Sequence, residues 1–178
     1  MFLRYLLLFI FIIFLSAGCN NPYPLHRAVS ENNIKEVKKL LEEGYDINLE
    51  NNNGMTPLNV AFFWGNKEIA ILLIKKGAEV NTKDNYGVTP LHYEVAFGGD
   101  RELVELLISE GADINAADNK GMTPLHYGAI YSDKEIMEYL VSEGAVIDME
   151  DKSGKTPLDL AEEKGRKEIV EIFSNFVR

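Results

Sequence analysis

The chain has 178 residues, of which 10% are aromatic and 26% charged, with a formal net charge of −10 and one cysteine. That suffices for one folded domain or a short repeat array, and the composition is not that of a disordered chain. No lysine or arginine cluster exists to displace phosphate counterions, so nucleic acid is excluded as an expected partner, and a lone cysteine closes no internal disulfide.

In chain order, Arg4 is followed by an apolar run from Tyr5 to Leu15, then by the small residues Ser16, Ala17 and Gly18, and then by Cys19. A positive start, a short apolar stretch and small residues before a cut site describe a secretory signal peptide. The run falls short of the roughly 20 apolar residues that cross a hydrocarbon core; an uncleaved transmembrane helix is the second reading. The junction L-S-A-G-C resembles a bacterial lipobox. That resemblance implies a leader of residues 1–18, a mature chain starting at Cys19 with a diacylglycerol on its sulfur and an acyl chain on its amine, and a short linker over 19–23. Two or more chains anchor a protein stably where one binds marginally.

From Pro24 onward the chain repeats itself. Thr-Pro-Leu recurs at Thr56, Thr89, Thr123 and Thr156, with spacings of 33, 34 and 33; one period before Pro57 lies Pro24. Gly44, Gly77, Gly111 and Gly144 recur in phase, followed four residues later by Asn48, Asn81, Asn115 and Asp148. Between these marks Leu103, Val104, Leu106 and Leu107 have the spacing of an amphipathic helix, as do Ile69, Leu72 and Leu73, and Ile136 and Leu140. Thr-Pro suits a helix start, where threonine caps orphan amides and proline loses no needed hydrogen bond. The glycines suit helix ends.

The stretch "DNKGMTPLHYGAI…EIMEYLVSEGA" resembles the ankyrin repeat, a turn followed by T-P-L-H, a short helix and a second helix ending in G-A-D. Five copies cover residues 24–178. The resemblance implies an all-α solenoid of about five helix–turn–helix repeats with projecting β-turn or hairpin loops, monomeric, with the first and last repeats as caps. Arg27 stands where inner repeats have Val60, Tyr93 and Tyr127, and Glu162, Glu163 and Lys164 stand where they are apolar. Polar outer faces keep such arrays soluble. Repeat three carries one extra residue. Either Gly99 lengthens the turn, or Glu94 is a bulge within the first helix; the bulge is the preferred reading, because it returns Ala96 and Gly99 to family positions.

No catalytic motif, cofactor loop or metal-ligand pattern is present. His26, His92 and His126 sit in successive T-P-L-H positions, where the family uses the imidazole to hold the turn; an exported enzyme or metal protein built on them is the remote alternative, since zinc needs ligands converging on one point. The expected activity is non-catalytic binding of a protein or peptide, at a membrane through lipid on Cys19. In the family, partners meet the finger tips and the concave side of the first helices. Near the end of the first helices stand Trp64, Phe97 and Tyr131, with Phe63 and Ile130 beside them; they either form an exposed aromatic row or pack between helices. The finger tips add Asn52 and Met55, Asn85 and Tyr86, and Asn119 and Lys120.

Overall fold

The computed structural model describes residues 22–176. The expected leader and Cys19 lie outside the described residues. Five helix pairs follow one another: α1 (Pro24–Ser30) with α2 (Ile34–Glu42), α3 (Pro57–Trp64) with α4 (Lys67–Lys75), α5 (Pro90–Tyr93) with α6 (Arg101–Ser109), α7 (Pro124–Tyr131) with α8 (Lys134–Ser142), and α9 (Pro157–Glu163) with α10 (Lys167–Phe176). Each first helix packs on the first helices of its neighbours and on the second helix of its own repeat. Among the described residues there is no strand, and no helix is long and apolar enough to cross a membrane.

The local chemistry explains the helix starts. Thr56, Thr89, Thr123 and Thr156 each cap a first helix, and the residue three places on (Asn59, His92, His126 or Asp159) returns a bond to the threonine's own amide. Two orphan amides are met at once. At the far end of the second helix in repeats one to four the glycine is left-handed, and the amide after it bonds back into the last turn: Tyr45 to the Leu40 carbonyl at 3.1 Å, Ala78 to Leu73 at 3.0 Å, Ala112 to Leu107 at 2.9 Å and Ala145 to Leu140 at 2.9 Å.

Burial follows the repeat. Leu58, Leu91 and Leu125 fill one slot of the first helices and Leu73, Leu107 and Leu140 one slot of the second, all at most 1% exposed. Each such side chain contributes roughly 1.5–3 kcal/mol on leaving water. In the last repeat Leu158 is only half-buried. Leu106 is likewise half-buried; the apolar stripe of α6 is Leu103, Val104 and Leu107.

The extra residue of repeat three lies inside the first helix. After Tyr93 the backbone widens into a π-helical turn, Glu94–Gly98, closed by the Gly99 amide on the Glu94 carbonyl at 2.8 Å. Gly99, at φ +62°, regains the place held by Gly65 at +71°. Ala96 does not regain a buried slot. Val95, 1% exposed, fills the position of Ala28 and Ala61, and the next repeat accommodates its bulk with Gly128.

Candidate protein-binding face

Between repeats the chain turns sharply at Asn51, Asp84, Asp118 and Asp151. Each side-chain oxygen accepts two amides of its own turn; the Asp84 Oδ1 takes Tyr86 at 2.8 Å and Val88 at 2.9 Å. The turns then ladder onto one another through Asn85 N to the Asn53 carbonyl at 3.0 Å, Asn119 N to Tyr86 at 2.8 Å and Lys152 N to Lys120 at 2.8 Å. Glycine is required here: a Cβ on Gly87 would sit 2.8 Å from the Asn119 amide nitrogen, and one on Gly54 2.8 Å from that of Asn85.

This ladder engages part of the expected contact set. The Asn85 amide group donates to the Asn52 carbonyl at 3.0 Å and that of Asn119 to Asn85 at 2.9 Å, while the Asn52 Oδ1 accepts the Tyr23 hydroxyl at 2.8 Å. These asparagines fasten neighbouring turns. Met55 is a correction: at 7% exposure it lies beneath its turn, with its carbonyl 2.8 Å from the His26 Nε2. Tyr86, by contrast, is 71% exposed, and Lys120 is exposed.

The aromatic row is also redrawn. Because of the π-turn, Gly98 takes the place of Trp64 and Tyr131, and Phe97 aligns with Phe63 and Ile130. The rings form a cluster: Phe63 lies edge-on to Trp64 at 5.4 Å, to Tyr93 at 5.8 Å and to Phe97 at 5.8 Å, and Tyr93 stacks with Phe97 at 6.1 Å. Such pairs prefer these offsets because ring edges are positive and faces negative. Phe63, Trp64, Phe97 and Ile130 are half-buried, and Tyr131 is 53% exposed. Tyr93 and Tyr127 tie this face to the turns. Their hydroxyls donate to Asp84 at 2.5 Å and Asp118 at 2.9 Å, and burial raises both phenols above their ordinary value. Nothing in the sequence marks this pairing except that each aspartate precedes its tyrosine by nine residues.

The histidines are structural. The Nε2 of His26, His92 and His126 contacts the carbonyl of Met55, Met122 and Lys155, at 2.8, 3.1 and 3.1 Å, and the Nδ1 of His92 and His126 meets its capping threonine. Burial lowers all three, His92 to about 4. Among the described residues no group of three or more His, Cys, Asp or Glu could hold a metal ion.

Another in-phase residue, noticed in sequence without a role, is a staple between repeats. The Asn81 carboxamide accepts the Asp113 amide at 2.7 Å and donates to the Gly111 carbonyl at 2.8 Å; Asn115 does the same with Val146 at 2.8 Å and Gly144 at 3.3 Å. Glu94, 2% exposed, faces inward and accepts the Asp100 amide at 2.8 Å; burial pushes its carboxyl up to about 7. Beside it the Lys67 ammonium bridges Asp100 and Glu102, each at 2.8 Å.

Stacked helix pairs, left-handed glycines and laddered turns define a helical repeat array. The chain belongs to the ankyrin-repeat family: the model for ankyrin repeats matches it in three copies, over residues 5–84, 25–118 and 91–175. Similar stretches occur in the potassium channel AKT1 of Arabidopsis thaliana (46% identity over 27% of this chain and 6% of the channel). They occur too in the mouse ankyrin repeat domain-containing protein 13C (36% over 31% and 10%) and the human Notch-regulated ankyrin repeat-containing protein (36% over 32% and 49%). The chain covers less than half the length of each of these relatives.

Proposed function

We propose that this is a non-catalytic scaffold that binds another protein through the face formed by its first helices and turns, held to the membrane of a bacterial envelope by lipid on Cys19. The observation that carries the binding reading is the exposed and half-buried aromatic surface of Phe63, Trp64, Phe97 and Tyr131, with Ile130, rimmed by polar turns; apolar patches with polar rims mark interaction sites. Tyr86 and Lys120 extend it at the turns. Non-catalytic action is supported by the histidines, whose imidazoles are committed to backbone carbonyls and caps.

Envelope proteins captured on the chain give the test. Tyr131→Ala is expected to leave the melting temperature nearly unchanged while lowering capture, by roughly 2 kcal/mol if the ring is a hot spot. Unchanged capture by this variant and by Tyr86→Ala would remove the face from consideration. Anchoring is supported by the L-S-A-G-C junction and is tested by mass spectrometry of the native N-terminus. An acylated Cys19 is expected; an intact Met1 would replace it with the uncleaved helix.

A further inference from the structure

The second-helix turn of repeat four departs from the others. At the same place Asn32, Gly65, Gly99 and Gly165 all have left-handed backbone, with φ of 53°, 71°, 62° and 64°. Ser132 is extended instead, at φ −86° and ψ 168°. The turn opens, and the carbonyls of Gly128 and Ser132 are met from the next repeat by the Arg166 guanidinium.

The opened turn borders a cleft of about 180 Å³ between repeats three and four. Phe97, Gly99, Tyr131, Ser132 and Asp133 line it, and Arg166 does not. Its volume lies below the roughly 300–1,000 Å³ of small-molecule sites; it suits one long side chain. The Ser132 hydroxyl, on a residue 4% exposed, has no hydrogen-bond partner among the described residues. A docked donor would supply the hydrogen bond that this buried hydroxyl lacks. Asp133 spends one oxygen on capping α8 through the Ile136 amide at 3.0 Å, and among the described residues its carboxylate has no ion pair. The surrounding charge points the same way. Residues 85–151 hold fourteen acidic residues, half of the chain's 28, against three basic ones, Arg101, Lys120 and Lys134, and the Arg166 guanidinium beside the cleft is taken up by the carbonyls of Gly128 and Ser132. Arg101 is already paired with Glu105 and Glu135 and lies over the Tyr139 ring, and Lys134 is paired with Glu138.

From this we infer that the cleft receives a lysine or arginine side chain of the partner protein, its stem against Phe97 and Tyr131 and its cation between the Asp133 carboxylate and the Ser132 hydroxyl. Aromatic walls attract a cation through the negative ring face, and a carboxylate adds a charge-assisted hydrogen bond. This rests on the scaffold reading above and names the chemistry its partner must offer.

The probes are three capped tripeptides, Leu-Lys-Leu, Leu-Arg-Leu and Leu-norleucine-Leu, titrated into the isotope-labelled full-length chain while the backbone amide signals of Gly99, Ser132 and Asp133 are followed. The lysine or arginine peptide is expected to move these signals and to bind about tenfold more tightly than the norleucine peptide. Asp133→Asn, which keeps an N-cap residue, should abolish that preference, and Ser132→Ala should reduce it. Asp113→Asn, outside the cleft, should leave it intact. Equal binding of the cationic and norleucine peptides, movement only at other signals, or equal loss with Asp113→Asn would overturn the inference. Partner capture that is lost in Tyr131→Ala yet retained in Asp133→Asn would also overturn it while upholding the scaffold reading.

Discussion

At the scale of single residues, the register shift in repeat three is balanced across an interface. Val95 is larger than the alanine of other repeats, and Gly128 is smaller. A Cβ on Gly128 would lie 2.4 Å from the Met137 sulfur and 3.1 Å from the Val95 Cγ1. Met137 is 0% exposed, so moving its sulfur means repacking the core around it. Gly128→Ala, a favourable change in an open helix, is therefore expected to destabilise by about 1–3 kcal/mol through overpacking, read as a lower melting temperature. Glu94 makes a pH-dependent prediction. Burial raises its folded-state value from the ordinary 4.5 to about 7. Its contribution is thus fully present below 4.5 and fades as pH rises through about 7, by at most ~1.4 kcal/mol per pH unit. The histidines oppose it: lowered from 6.5, they stabilise the fold above that pH and lose the contribution as pH falls. Urea midpoints at about pH 5 and about pH 8 separate the two, since Glu94→Gln should gain stability relative to the parent at the higher pH only.

Elements depend on side chains that replace missing backbone bonds. The turn at Asp84 is organised by one oxygen while the other accepts the Tyr93 hydroxyl. Asn51 does the first task in its own turn with a neutral carboxamide. Asp84→Asn should therefore keep the turn and cost about 1 kcal/mol, whereas Asp84→Ala strands two amides and a buried phenol and should cost about 2–4 kcal/mol. Chemical denaturation of the two variants checks the order; equal losses would mean that the turn is held by its glycine and the ladder alone. The π-turn belongs to the same scale, because one inserted residue displaced Phe97 from the aromatic row and made a ring cluster around Phe63.

Over the whole molecule, repeats touch only their neighbours, so position in the array sets the cost of a defect. Leu107, in repeat three, and Leu25, in repeat one, are both buried. Leu107→Ala is expected to cost about 2–5 kcal/mol and to lower a single cooperative transition. Leu25→Ala should cost less and broaden unfolding from the N-terminal end, seen as early amide exchange in α1 and α2. The array and its period were determined by the sequence alone, because each is a local pattern of threonine, proline, leucine and glycine repeated in phase, and the family resemblance carried by that pattern implied the role of the histidines. The sequence alone also determined the presence of an extra residue near Glu94. Tertiary structure alone decided where that residue went, that Val95 and Gly128 trade volume, that Met55 is core, and that Asn81, Asn85, Asn115 and Asn119 join repeats. It also decided that Ser132 opens a cleft beside Phe97. These features depend on side chains some thirty residues apart meeting across a repeat interface, and a single repeat's sequence carries no record of the residue opposite it.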